Sequence, residues 1–144
     1  MIKLANQRKN ATISSNDNIT FITGIIPDTV IPQAHYSCIV SNSLLHHLHH
    51  PEVLWATIKQ HALPNTKILI VDLFRPSCRE DALAIVNKYA ANEPEILQRD
   101  FYNSLLAAFT VAEIKQQLLK AGLTELKLKI ISDRHIAIFG TKTG

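Results

Sequence analysis

The stretch that most constrains this chain runs from His35 to His50, HYSCIVSNSLLHHLHH. Its first part, Tyr36-Ser37-Cys38-Ile39-Val40, is short, apolar and partly β-branched, and reads as a strand buried on both faces. Ser41-Asn42-Ser43 interrupt the apolar run with three small polar side chains. Leu44, Leu45 and four histidines follow, and a helix opens at Pro51, where a missing N–H costs nothing. A buried strand that ends in small polar residues and leads into a helix is the α/β arrangement that places ligands beyond strand carboxyl ends.

The rest of the chain supplies the partners for such a strand. Residues 2–11 have a short apolar face and read as a helix, and Ile19–Thr23, closed by Gly24, reads as a strand. Helical spacing from Leu54 to His61 or Ala62 stops at Pro64-Asn65. Lys67–Leu73 (KILIVDL) is the clearest buried strand. Ser77 with Glu80 predicts a capping box for a helix through Ala90, and a further helical segment runs from Glu93-Pro94 to Ala108. Thr110 with Glu113 predicts a second capping box, and Gly122 stands where a left-handed residue closes that helix. Leu123–Ile131 alternates apolar and charged residues, Ser132-Asp133-Arg134 turns the chain, and His135–Phe139 is a last strand. The expected fold class is α/β, a mostly parallel sheet finished by an antiparallel hairpin, in one domain spanning 1–144.

Composition narrows the function classes. About half the residues are hydrophobic and the formal charge is +3, with Lys and Arg scattered rather than clustered, so nothing demands nucleic acid. No apolar run is long enough for a bilayer and the N-terminus is too polar for a signal peptide, so a cytoplasmic protein away from the membrane is expected. Two cysteines in an apolar strand and a helix start favour reduced thiols.

The order of elements, the stretch SNSLLHHLHHPEVL and the run ILIVDLFRP together resemble the class I S-adenosylmethionine-dependent methyltransferases, in particular small-molecule enzymes related to the quinone-methylating ones. The resemblance covers nearly the whole chain and makes Ile19–Gly24 the family's third strand, Tyr36–Ser41 its fourth and Lys67–Leu73 its fifth. It implies a Rossmann-like sheet, a methyl donor as cofactor and a small-molecule methyl acceptor as partner. It implies further that Asn42, Ser43, Leu44 and His47 line the methionine end of the cofactor and that Ile25 and Ile26 pack on its adenine. His46 and His47 become candidates for the general base. Arg75, Tyr102, Asn103 and Arg134 become candidates for the acceptor's pocket.

The family's glycine-rich cofactor turn is not in this sequence: the four glycines are far apart and no G-x-G occurs. A strand, a helix and a second strand, on the order of 30 residues, are expected to be missing before Met1. Truncation is the preferred reading, beside a deliberate fragment or a sheet completed by another chain. The chain alone is expected to be weakly active or inactive. The alternative is a non-catalytic partner that forms a homo-oligomer through an unpaired strand edge.

Each candidate also has a plain structural reading. His46 and His47 could cover the sheet edge. The set His46, His47, His49, His50 invites a metal, but no carboxylate or cysteine stands at ligand spacing, and no metal is expected. Asp72 could reach a ligand or serve as a hydrogen-bonded structural residue. Arg75 could make a surface ion pair, and Tyr102 could be a core aromatic. Trp55 and Cys38 read as packing residues.

Overall fold

The computed structural model describes residues 19–27, 31 and 34–144. Backbone contacts divide the chain into two units, Met1–Pro32 and Gln33–Gly144. The helix expected over 2–11 lies outside the described residues. In the first unit, Ile19–Thr23 forms no strand. A β-rich run becomes a strand only with a ladder partner, and the sheet of this protein begins later, at Tyr36.

The second unit carries β1 (Tyr36–Asn42), a single 3₁₀ turn (Leu45–His47), α1 (Glu52–His61), β2 (Ala62–Leu73), α2 (Arg79–Ala90), α3 (Glu95–Ala107), α4 (Val111–Ala121), β3 (Lys127–Ile130) and β4 (His135–Thr141). The four strands form one sheet in the order β1-β2-β4-β3. β1 and β2 are parallel, with Val40 beside Leu69 and Asn42 beside Val71. β4 enters antiparallel to β2, with Leu69 beside Phe139 and Leu73 beside His135, and β3 closes the hairpin on its far side. The sheet is therefore α/β with the expected C-terminal antiparallel hairpin.

Its two faces are covered unequally. Ile68 and Ile70 of β2 and Ile136 and Ile138 of β4 share one face and are fully or nearly fully buried. On α1, Leu54, Trp55 and Ile58 recur at helical spacing and are buried, and α1 lies against β2 and α4. Each such apolar side chain contributes about 1.5–3 kcal/mol by leaving water. The buried Trp55 ring keeps its one polar atom satisfied, Nε1–H donating to Gln117 Oε1 on α4 at 3.0 Å. On the opposite face, Leu73 at the end of β2 joins Ala82, Ile85 and Val86 of α2 and Leu105 of α3 in a second core. Farther along that face, Val40, Leu69 and Phe139 form an exposed cross-strand row.

Several expectations need correction. β1 is not buried on both faces: Ser37, Cys38, Val40 and Asn42 are exposed, because the second core reaches only the end of β2 and β1 is outermost among the described strands. Pro51 is the residue before α1 rather than its first helical residue. α1 ends at His61, and β2 begins at once with Ala62, running through Pro64 and through Asn65 at φ 75°. The cap of α2 is Cys78, whose Sγ accepts from the Asp81 N–H at 3.4 Å, one residue later than the Ser77–Glu80 pattern suggests. Leu123 and Leu126 are buried in a turn, so the strand expected from Leu123 shrinks to Lys127–Ile130.

Other local signals act as read. The Thr110–Glu113 capping box is present, and Gly122 closes α4 in the left-handed region at φ 69°. Gly140 is required for a different reason. A Cβ there would meet Leu126 Cδ2 at 2.9 Å, the Glu125 carbonyl oxygen at 3.2 Å and Leu126 Cα at 3.3 Å. Replacing Gly140 by Val should therefore cost about 1–3 kcal/mol and lower the melting temperature by several degrees. The same change at Gly144, where a Cβ meets nothing, should leave it in place. Thermal unfolding of both variants checks this.

Candidate functional site

The site is built around a carboxylate in an apolar strand. Asp72 lies at the end of β2 between Val71 and Leu73 and is wholly buried. Five N–H groups converge on it. Oδ2 accepts from the backbone of Leu44 at 2.8 Å and of Leu45 at 2.7 Å. Oδ1 accepts from the backbone of His46 at 3.3 Å and of Leu73 at 2.9 Å. The fifth donor is the His46 imidazole, with Nδ1 2.6 Å from Oδ1. A carboxylate only accepts, so Nδ1 carries a proton at this contact, and Nε2 is the ring nitrogen not engaged by Asp72.

Local sequence explains why the carboxylate comes from far away. The 3₁₀ turn Leu45–His47 starts at Leu44, whose side chain cannot cap, so its first amides lack a partner. Asp72 supplies the cap across 28 residues of sequence. The chain enters this turn through Ser43, which holds φ 52° while its N–H donates to the Val71 carbonyl at 2.9 Å. A left-handed serine costs energy that the Asp72 cluster must offset.

The structure brings some sequence candidates together and disperses others. His46 is buried on Asp72, while His47 is exposed with its ring stacked on His46 at 3.9 Å between centroids. Asn42 and Ser43 lie side by side, Asn42 Nδ2 donating to Ser43 Oγ at 3.3 Å. The backbone N–H groups of Ser43 and Leu44 are spent on Val71 and Asp72. Ile25, exposed, and Ile26 belong to the first unit. Arg75 donates to both oxygens of Glu113 at 2.6 Å, which joins the β2 exit to the capping box of α4. The Thr110 backbone N–H and then the Arg75 guanidinium hold the Glu113 carboxyl below its ordinary value. Tyr102 is half-buried against the α2–α3 core and Asn103 is exposed. His50 pairs with Glu52 at the surface, and among the described residues no group of His, Cys, Asp and Glu is arranged to hold a metal ion.

Arg134 takes part in a cluster that sequence reasoning did not find. Its guanidinium lies 3.5 Å from the centre of the Tyr89 ring and donates to Asp133 at 2.9 Å. Asp133 also accepts from the Tyr89 hydroxyl at 2.8 Å and from Lys88 Nζ at 3.0 Å. These contacts tie the β3–β4 turn to the end of α2. The Tyr89 and Lys88 hydrogen bonds hold the Asp133 carboxyl down at about 2. Beside this cluster, beyond the end of β2, is an open cavity of about 420 Å³ lined by Phe74, Pro76, Ser77, Asp81, Ala84, Ile85, Lys88 and Asp133. His135, opposite Leu73, has its Nδ1 at 3.0 Å from Ser132 Oγ. Burial, and then Arg134, push its imidazole below the ordinary value, so the ring is neutral near pH 7.

A family model described as a methyltransferase domain matches residues 3–128. No curated protein matches the chain in sequence. Among solved structures, the chain is similar to a SAM-dependent methyltransferase from Aquifex aeolicus, with a TM-score of 0.61 at 12% identity over 97% of this chain and 62% of that one. It is also similar to a possible exported protein from Bordetella parapertussis, with a TM-score of 0.52 at 18% identity over 78% of this chain and 40% of that one. The chain thus spans about three-fifths of the length of the Aquifex protein. Among the described residues no helix is long and apolar enough to cross a membrane.

Two outcomes follow from the hydrogen-bond pattern. Asp72→Ala strips an acceptor from five N–H donors, four of them in buried bonds, and should cost about 3–5 kcal/mol, measured by urea unfolding. Asp133 stabilises through a carboxyl held below its ordinary 3.8, so its contribution is full above pH 4 and lost as pH falls toward 2. Asp133→Asn should therefore flatten the fall in melting temperature between pH 4 and pH 2 relative to the parent chain.

Proposed function

The chain belongs to the methyltransferase-domain family, and from that premise we propose that it serves transfer of a methyl group from S-adenosylmethionine to a small-molecule acceptor. The observation that carries the reading is the His46–Asp72 pair at the carboxyl end of β2. Asp72 fixes the tautomer and direction of the ring, as a carboxylate does for an imidazole base, and His46 Nε2 is the atom that takes the acceptor's proton. Asp72 is then a positioning residue. The 420 Å³ cavity, with an apolar floor of Phe74, Pro76 and Ile85, supports an acceptor of small-molecule size.

The residues at the β1 exit fit one end of the methyl donor. With the amides of Ser43, Leu44, Leu45 and His46 already engaged, Asn42 and Ser43 are left to offer oxygen atoms, which suit an ammonium rather than an anion. The donor, when bound, supplies a methyl group on a positively charged sulfur. His46 and the β1 exit orient the acceptor and hold its proton. Since the sequence has no G-x-G turn, binding by these 144 residues alone should be weak.

Calorimetric titration with S-adenosylhomocysteine tests this. A dissociation constant of roughly 0.1–1 mM, about −4 to −5.5 kcal/mol, is expected. No heat at saturating ligand would overturn the cofactor assignment, and micromolar binding would overturn the weak site. His46→Gln should keep that binding while labelled methyl incorporation into a small-molecule extract falls about 100-fold or more. Incorporation into the protein fraction instead would refute the small acceptor.

A further inference from the structure

α1 and α4 lie side by side, and between them at the surface is a cavity of about 390 Å³, within the size range of small-molecule sites. Its floor is apolar. Trp55 lines it from the buried side, and Ala56 and Ala121 leave space that longer side chains would fill. The indole N–H of Trp55 donates to Gln117 Oε1 at 3.0 Å, so the amide oxygen is engaged and Gln117 is left to offer its Nε2–H groups. Lys59 in the last turn of α1 and Lys120 in the last turn of α4 line the cavity from its two sides. Among the described residues neither ammonium has an ion-pair or hydrogen-bond partner. A last-turn position suits each lysine to the carboxyl end of its helix and leaves its ammonium hydrogens unspent. Glu52, the acidic residue lining the cavity, is paired with His50 at 3.0 Å.

We propose that this cavity binds a small organic anion with an apolar body, of the class of alkyl and aryl carboxylates. The body lies against Trp55, Ala56 and Ala121, and the carboxylate is held by Lys59 and Lys120. Cations on neighbouring helices repel each other, and a carboxylate between them replaces that repulsion with charge-assisted hydrogen bonds. The donors alone would suit any anion. The apolar floor selects one with a hydrocarbon body, because an inorganic ion has no apolar surface to remove from water there. A cationic ligand would meet two ammonium groups and a carboxylate already engaged. The cavity is separate from the one beside α2, and the inference stands independently of the methyl-transfer reading.

Trp55 is the only tryptophan of the chain, so its emission reports on this cavity. The test is quenching of that emission in the full chain by a terminally brominated octanoate, kept below its micelle concentration. The matching brominated octanol is the uncharged control. Saturable quenching with a dissociation constant of roughly 0.1–1 mM is expected for the acid, with binding about fivefold weaker or worse for the alcohol. Added salt should weaken the acid and leave the alcohol unchanged. The double variant Lys59→Ala/Lys120→Ala alters two exposed positions and leaves the fold intact by circular dichroism. It should bring the acid to the level of the alcohol. Ala56→Leu, also at an exposed position, fills the cavity without altering charge and should weaken both ligands about tenfold. Absence of saturable quenching by the acid overturns the proposal. So does equal binding of acid and alcohol, or acid binding that either variant leaves unchanged.

Discussion

The structure depends on one buried carboxylate. Asp72 sits in an apolar strand where an unpaired charge would be prohibitive, and it is tolerated because five N–H groups surround it. Four of those donors belong to the residues that follow β1. The same interaction therefore caps the 3₁₀ turn, holds the exits of β1 and β2 together and orients the His46 ring. One residue thus does two structural jobs: the carboxylate that orients the His46 imidazole is also the one whose loss would release the turn. The left-handed Ser43 beside it is consistent with strain held in place by a strongly bonded neighbour.

The remaining contacts at this end of the sheet fall on either side of Asp72. Arg75 with Glu113 anchors the exit of β2 to α4, and Asp133 with Lys88, Tyr89 and Arg134 anchors the β3–β4 turn to α2. Both are exposed and open to screening by salt, so they orient elements more than they stabilise them. The cavity beyond β2 lies beside the second of these anchors. Away from these anchors, Val40, Leu69 and Phe139 form an exposed apolar row across β1, β2 and β4.

How far this was legible in the sequence depended on how local the cause was. The Thr110–Glu113 box and Gly122 delimit α4 because both ends are set by groups within four residues. KILIVDL could be recognised as a strand from its apolar run, and its one acidic residue was the available sign of the cluster at its end. The Cys78 cap was missed because Ser77 and Glu80 satisfied the same pattern one residue earlier. The partnership of Arg134 with Tyr89 spans distant parts of the chain and leaves no mark in spacing. Apolar character in Tyr36–Val40 suggested burial, yet a strand exposed along one face shows the same composition.

The sequence by itself determined the family of the chain and most of the elements from Tyr36 onward. These follow from side-chain periodicity, capping residues and turn chemistry, all short-range. Only the tertiary structure decided that Asp72 is a shared hydrogen-bond acceptor, that His46 rather than His47 is held by it, that Arg75 is bound to Glu113, and that β1 is outermost among the described strands. Each of those depends on which strands become neighbours. That choice is made by burial of Ile68, Ile70, Ile136 and Ile138 against the helices, a collective term that no single stretch of sequence contains.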